Sequence, residues 1–127
     1  MVIIVVDDDE YVRRALAELL EDSEFLVLEA ASGREALALA RDRAELDLVI
    51  TDVNMPEMDG MELVEELKSM RPSLPVILMS GRPHQDRSHP FLAKPFTLRG
   101  LLACIANATA QPVALRGERE LLPEGGG

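Results

Sequence analysis

The chain has one cysteine, no tryptophan and 3% aromatic residues among its 127. A lone cysteine closes no internal disulfide. Cys104, inside the helical pattern Leu98-Leu101-Leu102-Ile105, reads as a small buried or half-buried thiol in a reducing, cytoplasmic setting. With so few aromatics the core must be aliphatic, and a hydrophobic content of 47% is ample for one. Positive charge is also scarce: 13 Lys and Arg stand against 23 Asp and Glu, for a net charge of -10. Such a chain lacks the basic footprint that neutralises phosphates, which argues against direct nucleic-acid binding, and it is repelled by anionic membranes. Long apolar runs are missing as well. The N-terminal run Val2 to Val6 stops at Asp7 and has no basic lead, too short for a signal peptide or a membrane span.

What is present is alternation. Val2 to Val6, Phe25 to Leu28, Leu48 to Thr51, Val76 to Met79 and Phe91 to Ala93 are short β-branched or aliphatic runs, suited to strands buried on both faces. Between them lie helical stripes. Val12, Ala15, Leu16, Leu19 and Leu20 follow i, i+3, i+4, i+7, i+8 spacing, with Asp9 or Asp8 as the cap. Ser32 with Glu35 forms the pattern of a capping box before Ala36, Leu37 and Ala40. Asp59-Gly60 leads into Leu63, Val64, Leu67 and Met70, which Pro72 and Pro75 terminate. Thr97 caps a last helix bearing Leu98, Leu101, Leu102 and Ile105. This order predicts an α/β fold: a parallel sheet, helices on both faces and right-handed crossovers. All strand C-terminal ends then share one edge, where open α/β sheets place their chemistry. Asp7, Asp8, Asp52, Ser80 and Lys94 converge there. Residues 1–110 make one domain, and 111–127, ending in Gly-Gly-Gly, read as a flexible tail or linker.

Four segments closely resemble the receiver domain of two-component response regulators: Val5-Val6-Asp7-Asp8-Asp9, Asp52 to Gly60, Leu78-Met79-Ser80-Gly81, and Phe91-Leu92-Ala93-Lys94-Pro95-Phe96. The wording after Met79 and Phe91 also resembles receivers attached to hybrid histidine kinases. The resemblance implies a flavodoxin-like, doubly wound five-stranded parallel sheet of order 2-1-3-4-5. It implies Asp52 as phosphoacceptor from a phosphohistidine on a histidine kinase or phosphotransfer protein. Lys94 and Ser80 would hold phosphoryl oxygens, with Ser80 and Phe91 as the switch pair and a cis Lys94-Pro95 junction aiming the lysine. Crowded carboxylates repel one another, and a hard divalent cation relieves the repulsion. By resemblance Mg2+ is held by Asp8, Asp52 and the Asn54 backbone carbonyl, with Asp7 acting largely through water. Such a domain catalyses only its own phosphorylation and dephosphorylation and is a monomer or weak dimer.

One stretch departs from the pattern. Only residues 81–90 separate Ser80 from Phe91, Pro83 and Pro90 bracket them, and nothing between those prolines is apolar. The fourth helix of a receiver is therefore expected to be absent or much shortened and the segment mobile and solvated. Phe91 lacks a hydroxyl, so its rotation changes packing alone. The shortened segment motivates an alternative, a pseudo-receiver acting as a phosphorylation-independent interaction module. An aspartyl phosphatase of the haloacid dehalogenase class would want an aspartate where Asn54 stands. His84 and His89, on a polar loop with a single Cys in the chain, read as surface residues rather than metal ligands.

Overall fold

Five apolar runs pair side by side because each can bury both its faces only inside a sheet. The computed structural model describes residues 1–82 and 89–109. In chain order the elements are β1 (Val2–Val6), α1 (Glu10–Asp22), β2 (Leu26–Ala30), α2 (Gly33–Arg41), β3 (Leu46–Asp52), α3 (Gly60–Met70), β4 (Val76–Ser80), β5 (Phe91–Ala93) and α4 (Leu98–Thr109). The strands form one parallel sheet of order β2-β1-β3-β4-β5, as expected. The expectations of a missing fourth crossover helix and of a flexible tail fall on residues 83–88 and 111–127, outside the described residues.

Alternation along each strand splits the core in two. Ile4, Val6, Val49, Val76 and Leu78 pack with α2 and α3 through Ala36, Leu37, Ala40, Leu63, Val64 and Leu67. Ile3, Val5, Leu48, Ile50, Ile77 and Met79 pack with α1 and α4 through Leu16, Leu20, Leu101 and Ile105. Leu46 and Leu48 would share a face in a regular strand. The register shift beside β1, where Val2 pairs with Leu46 and Ile3 with Leu48, sends them to opposite faces. The extra residue, Asp47, turns outward and accepts a bond from the Val2 N–H at 2.7 Å.

Several boundaries differ from the sequence expectation, each for a local reason. Phe25 is not part of β2: its N–H donates to the Leu20 carbonyl, closing α1, and Glu24 takes a left-handed turn at φ 70°. β3 runs two residues further back, to Leu46. In α1 the inward small residue is Ala17 rather than Ala15, which is exposed. The two flank the Leu16–Leu20 line on opposite sides, and composition does not distinguish them. Met70 and Leu98, expected inward, are 37% and 42% exposed at helix ends. Asp9, not Asp8, caps α1, accepting from the Val12 N–H.

The strict capping box is also displaced. Ser32 accepts from the Glu35 N–H, but the Glu35 carboxylate reaches back to the Ala31 N–H at 2.7 Å. The reciprocal pair forms instead at the start of α3. There Asp59 accepts from the Glu62 N–H at 2.9 Å, and Glu62 accepts from the Asp59 N–H at 3.1 Å. That box anchors the loop following Asp52. Gly60, the first residue of α3, donates its N–H to the Val53 carbonyl at 2.9 Å. A Cβ on Gly60 would sit 2.6 Å from the Asp52 carbonyl oxygen and 2.9 Å from the Val53 Cα. The need for glycine here is steric, set by backbone that has no room to retreat. Gly60→Ala is therefore expected to destabilise the fold by about 1–3 kcal/mol, as overpacking does. Urea unfolding against the parent chain measures this, and an unchanged midpoint contradicts it.

Candidate functional site

Parallel pairing brings the chemistry to one edge. Asp52 ends β3 and Ser80 ends β4, while Asp7 and Lys94 directly follow β1 and β5. Backbone bonds continue past the strand ends and fix these positions. The Asp7 N–H donates to the Ala30 carbonyl at 3.1 Å, the Val53 N–H to Met79 at 3.0 Å and the Lys94 N–H to Ser80 at 2.9 Å. Asp7 is 1% exposed, Asp52 8% and Ser80 4%, whereas Asp8 lies open to solvent.

The Lys94 ammonium sits between two carboxylates, donating to Asp7 Oδ2 and to Asp52 Oδ1, each at 3.2 Å. The peptide bond that follows it, Lys94-Pro95, is cis. Asp7 has a partner at every polar atom. Its Oδ1 accepts from the Asp9 N–H at 2.9 Å, and its carbonyl accepts from the Arg13 guanidinium at 3.0 Å. Among the described residues no hydrogen bond takes Asp52 Oδ2 or either Asp8 oxygen. One oxygen each from Asp7, Asp8 and Asp52 lie within 4.8 Å of one another. Three hard oxygen donors, one facing solvent, suit a divalent cation of the Mg2+ or Ca2+ kind. Asn54 follows on the exposed loop, its carbonyl oxygen free of backbone partners among the described residues.

Electrostatics follow this geometry. Burial pushes the Asp52 carboxyl above its ordinary value; Lys94 opposes the rise, and the neighbouring Asp7 and Asp8 add to it. For Lys94, burial works against the ammonium, but Asp7 and Asp52 together outweigh it and hold its pKa above the usual lysine value. The cation at the centre of the site therefore stays charged through neutral pH.

Ser80 Oγ accepts from the Arg82 N–H at 3.0 Å. Phe91 is half-buried against the α2–α3 side of the core, and the Cys104 thiol, itself half-buried, reaches the Phe91 carbonyl at 3.7 Å. His84 lies outside the described residues, and His89 joins no metal-ligating cluster among them. Two participants escaped the sequence reading, Arg13 and Glu29. Arg13 Nε pairs with Glu29 Oε1 at 3.0 Å while its other arm holds the Asp7 carbonyl. One signal pointed to Arg13: a cation near a helix N-terminus opposes the macrodipole and needs a local reason. Beside the site, Tyr11, Val12, Ala15, Leu16, Leu19, Lys94, Pro95 and Phe96 line an apolar groove of ≈ 410 Å³.

Residues 3–106 match the family model described as the response regulator receiver domain. The chain belongs to the response regulator receiver domain family. Among its relatives, the DNA-binding transcriptional regulator NtrC of Bradyrhizobium is 37% identical over 87% of this chain and 24% of its own length. Sensor kinase CckA of Brucella abortus is 36% identical over 81% of this chain and 12% of its own. The chain thus spans a quarter or less of these two relatives. Among solved structures, a receiver domain protein of Clostridium thermocellum superposes with a TM-score of 0.78 at 30% identity, covering 90% of this chain and 98% of the other. The receiver domain of hybrid histidine kinase CckA gives 0.75 at 34% identity over 86% and 99%. Nothing in this receiver's site favours the pseudo-receiver alternative: the acidic cluster, Ser80 and Lys94 are all in place. Among the described residues no helix is long and apolar enough to cross a membrane.

The raised Asp52 pKa has a testable consequence. Below the ordinary carboxylate range the group is neutral, folded or unfolded, and contributes nothing. As pH rises, the unfolded chain loses its proton first, so stability falls until the folded carboxyl has ionised too and stays lower above that. Asp52→Asn should therefore gain stability relative to the parent chain as pH rises from about 3 toward neutrality. Thermal unfolding across that window shows it; a difference that stays constant or shrinks contradicts the shift.

Proposed function

We propose that Asp52 is the phosphoacceptor of a two-component phosphorelay, taking a phosphoryl group from a phosphohistidine. The observation that carries the reading is the Lys94 ammonium held beside Asp52 Oδ1, with a second Asp52 oxygen unclaimed. A carboxylate oxygen of Asp52 attacks phosphorus, the P–N bond breaks, and its electron pair leaves with the imidazole nitrogen. Little covalent chemistry is asked of the protein beyond positioning and charge neutralisation. Lys94 pairs with a phosphoryl oxygen, and the Ser80 hydroxyl donates to another after leaving its bond to the Arg82 N–H. Asp8, Asp52 and the Asn54 carbonyl would hold Mg2+, with Asp7 acting through water; bound there, the ion supplies charge neutralisation for the phosphoryl oxygens.

The domain catalyses only its own phosphorylation and dephosphorylation, and Ser80 and Phe91 are its switch pair. Its partner is a histidine kinase or histidine phosphotransfer protein in the cytoplasm, seated on the apolar groove that ends at Lys94 and Phe96. The net charge of -10 supports a protein rather than a nucleic acid as the direct partner. Signal output belongs to an attached or partner domain.

Incubation with acetyl phosphate and Mg2+ is expected to add the mass of one phosphoryl group to the intact chain. Asp52→Asn and chelation by EDTA should each abolish the gain. Incorporation that survives Asp52→Asn overturns the assignment. A parent chain showing neither Mg2+ binding nor incorporation supports the interaction-module reading. Lys94→Ala, which removes a donor to the transferring group, should slow incorporation by about 10²-fold, read from the time course of the same mass shift.

A further inference from the structure

Arg13 lies one turn into α1, on the side facing the acidic edge, and its side chain is 14% exposed. Two of its nitrogens are committed. Nε donates to Glu29 Oε1 at the end of β2, and NH1 donates to the backbone carbonyl of Asp7, both at 3.0 Å. That carbonyl belongs to the peptide joining Asp7 to Asp8. The peptide's orientation decides where the chain aims Asp8 on leaving the sheet; the Asp9 N–H bond to Asp7 Oδ1 turns the chain around it, and among the described residues Arg13 is the donor to its carbonyl. Asp8 itself is exposed, with neither carboxylate oxygen bonded among the described residues. Its placement within 4.8 Å of Asp7 and Asp52 must therefore come from the backbone. Arg14 cannot substitute, because it approaches Glu29 from outside and pairs also with Glu18.

We propose that Arg13, oriented by Glu29, is a positioning residue that sets the Asp7–Asp8 peptide and thereby the cation-binding geometry of the acidic site. The inference rests on the reading of Asp8 and Asp52 as cation ligands. The Arg13–Glu29 pair is charge-neutral, so its action is geometric. This separates it from a simple charge effect by sign. Deleting a cation beside three carboxylates would by charge alone tighten the binding of Mg2+. Deleting a brace loosens it, and supporting contacts of this kind typically carry about 10–100-fold in metal affinity.

The test is calorimetric titration of the full chain with Mg2+ alone, beside thermal unfolding without the ion. Arg13→Gln should raise the Mg2+ dissociation constant about tenfold, and Glu29→Gln should raise it by a smaller factor. Arg13→Lys, which restores the charge but not the two-armed fork, should fail to recover parent affinity. In ion-free 1H–15N spectra of Arg13→Gln, the Asp8 amide should move, since its own peptide carries the released carbonyl. Where Arg13→Gln does not fold, Arg13→Lys carries the comparison, since it keeps the charge and removes the fork. Affinity unchanged or tightened in the folded variants, with only a lowered unfolding temperature, overturns the proposal and leaves Arg13 a structural residue. A parent chain that does not bind Mg2+ sinks the reading of the acidic site itself, and the brace with it.

Discussion

Everything at the active edge depends on one ammonium group. Asp7 and Asp52 are both buried, and without a cation between them they would be two desolvated carboxylates side by side. At an effective dielectric near 20, unit charges about 4 Å apart interact by about 4 kcal/mol, a large share of a small domain's stability. Lys94 turns that repulsion into two attractive contacts. Its own placement comes from the backbone: β5 is three residues long, and the bond from the Lys94 N–H to Ser80 extends its pairing by one more. The lysine thus arrives between the acids as part of the sheet.

The three carboxylates have different duties, visible in what each already holds. Asp7 is saturated, with a partner for its N–H, its carbonyl and both carboxylate oxygens, so it is a fixed point. Asp52 gives one oxygen to Lys94 and keeps the other. Asp8 stands at the solvent boundary with its carboxylate unspent. Rigidity decreases from the interior outward, while availability to an incoming ion or phosphoryl group increases. Catalysis by positioning needs that combination, because a site whose donors move must reorganise at the moment of reaction.

Much of this was legible in the chain. Five apolar runs, four of them ending at or next to a reactive side chain, implied the convergence of Asp7, Asp8, Asp52, Ser80 and Lys94 once parallel pairing was accepted, while the strand order came from the resemblance to receivers. Periodicity could not decide which of two alanines beside Leu16 faces inward, nor that Phe25 closes a helix rather than opening a strand. Both depend on how a helix sits on the sheet. The capping box was read at Ser32 with Glu35, and a second pair, Asp59 with Glu62, was not singled out. The second closes reciprocally, whereas at the first Glu35 reaches one residue further back. Arg13 and Glu29 belong to no motif, since their partnership spans a helix face and a strand end 16 residues apart.

The separations along the chain carry one more consequence. The contact between Lys94 and Asp7 joins residues 87 apart, and that between Lys94 and Asp52 joins residues 42 apart. During vectorial synthesis the acids therefore emerge long before their counter-ion, and a nascent chain that stops short of β5 carries them uncompensated. Pairing across the last strand closes a long loop and brings the counter-ion to the edge. The counter-ion of the site and the last strand of the sheet thus arrive on the same stretch of chain.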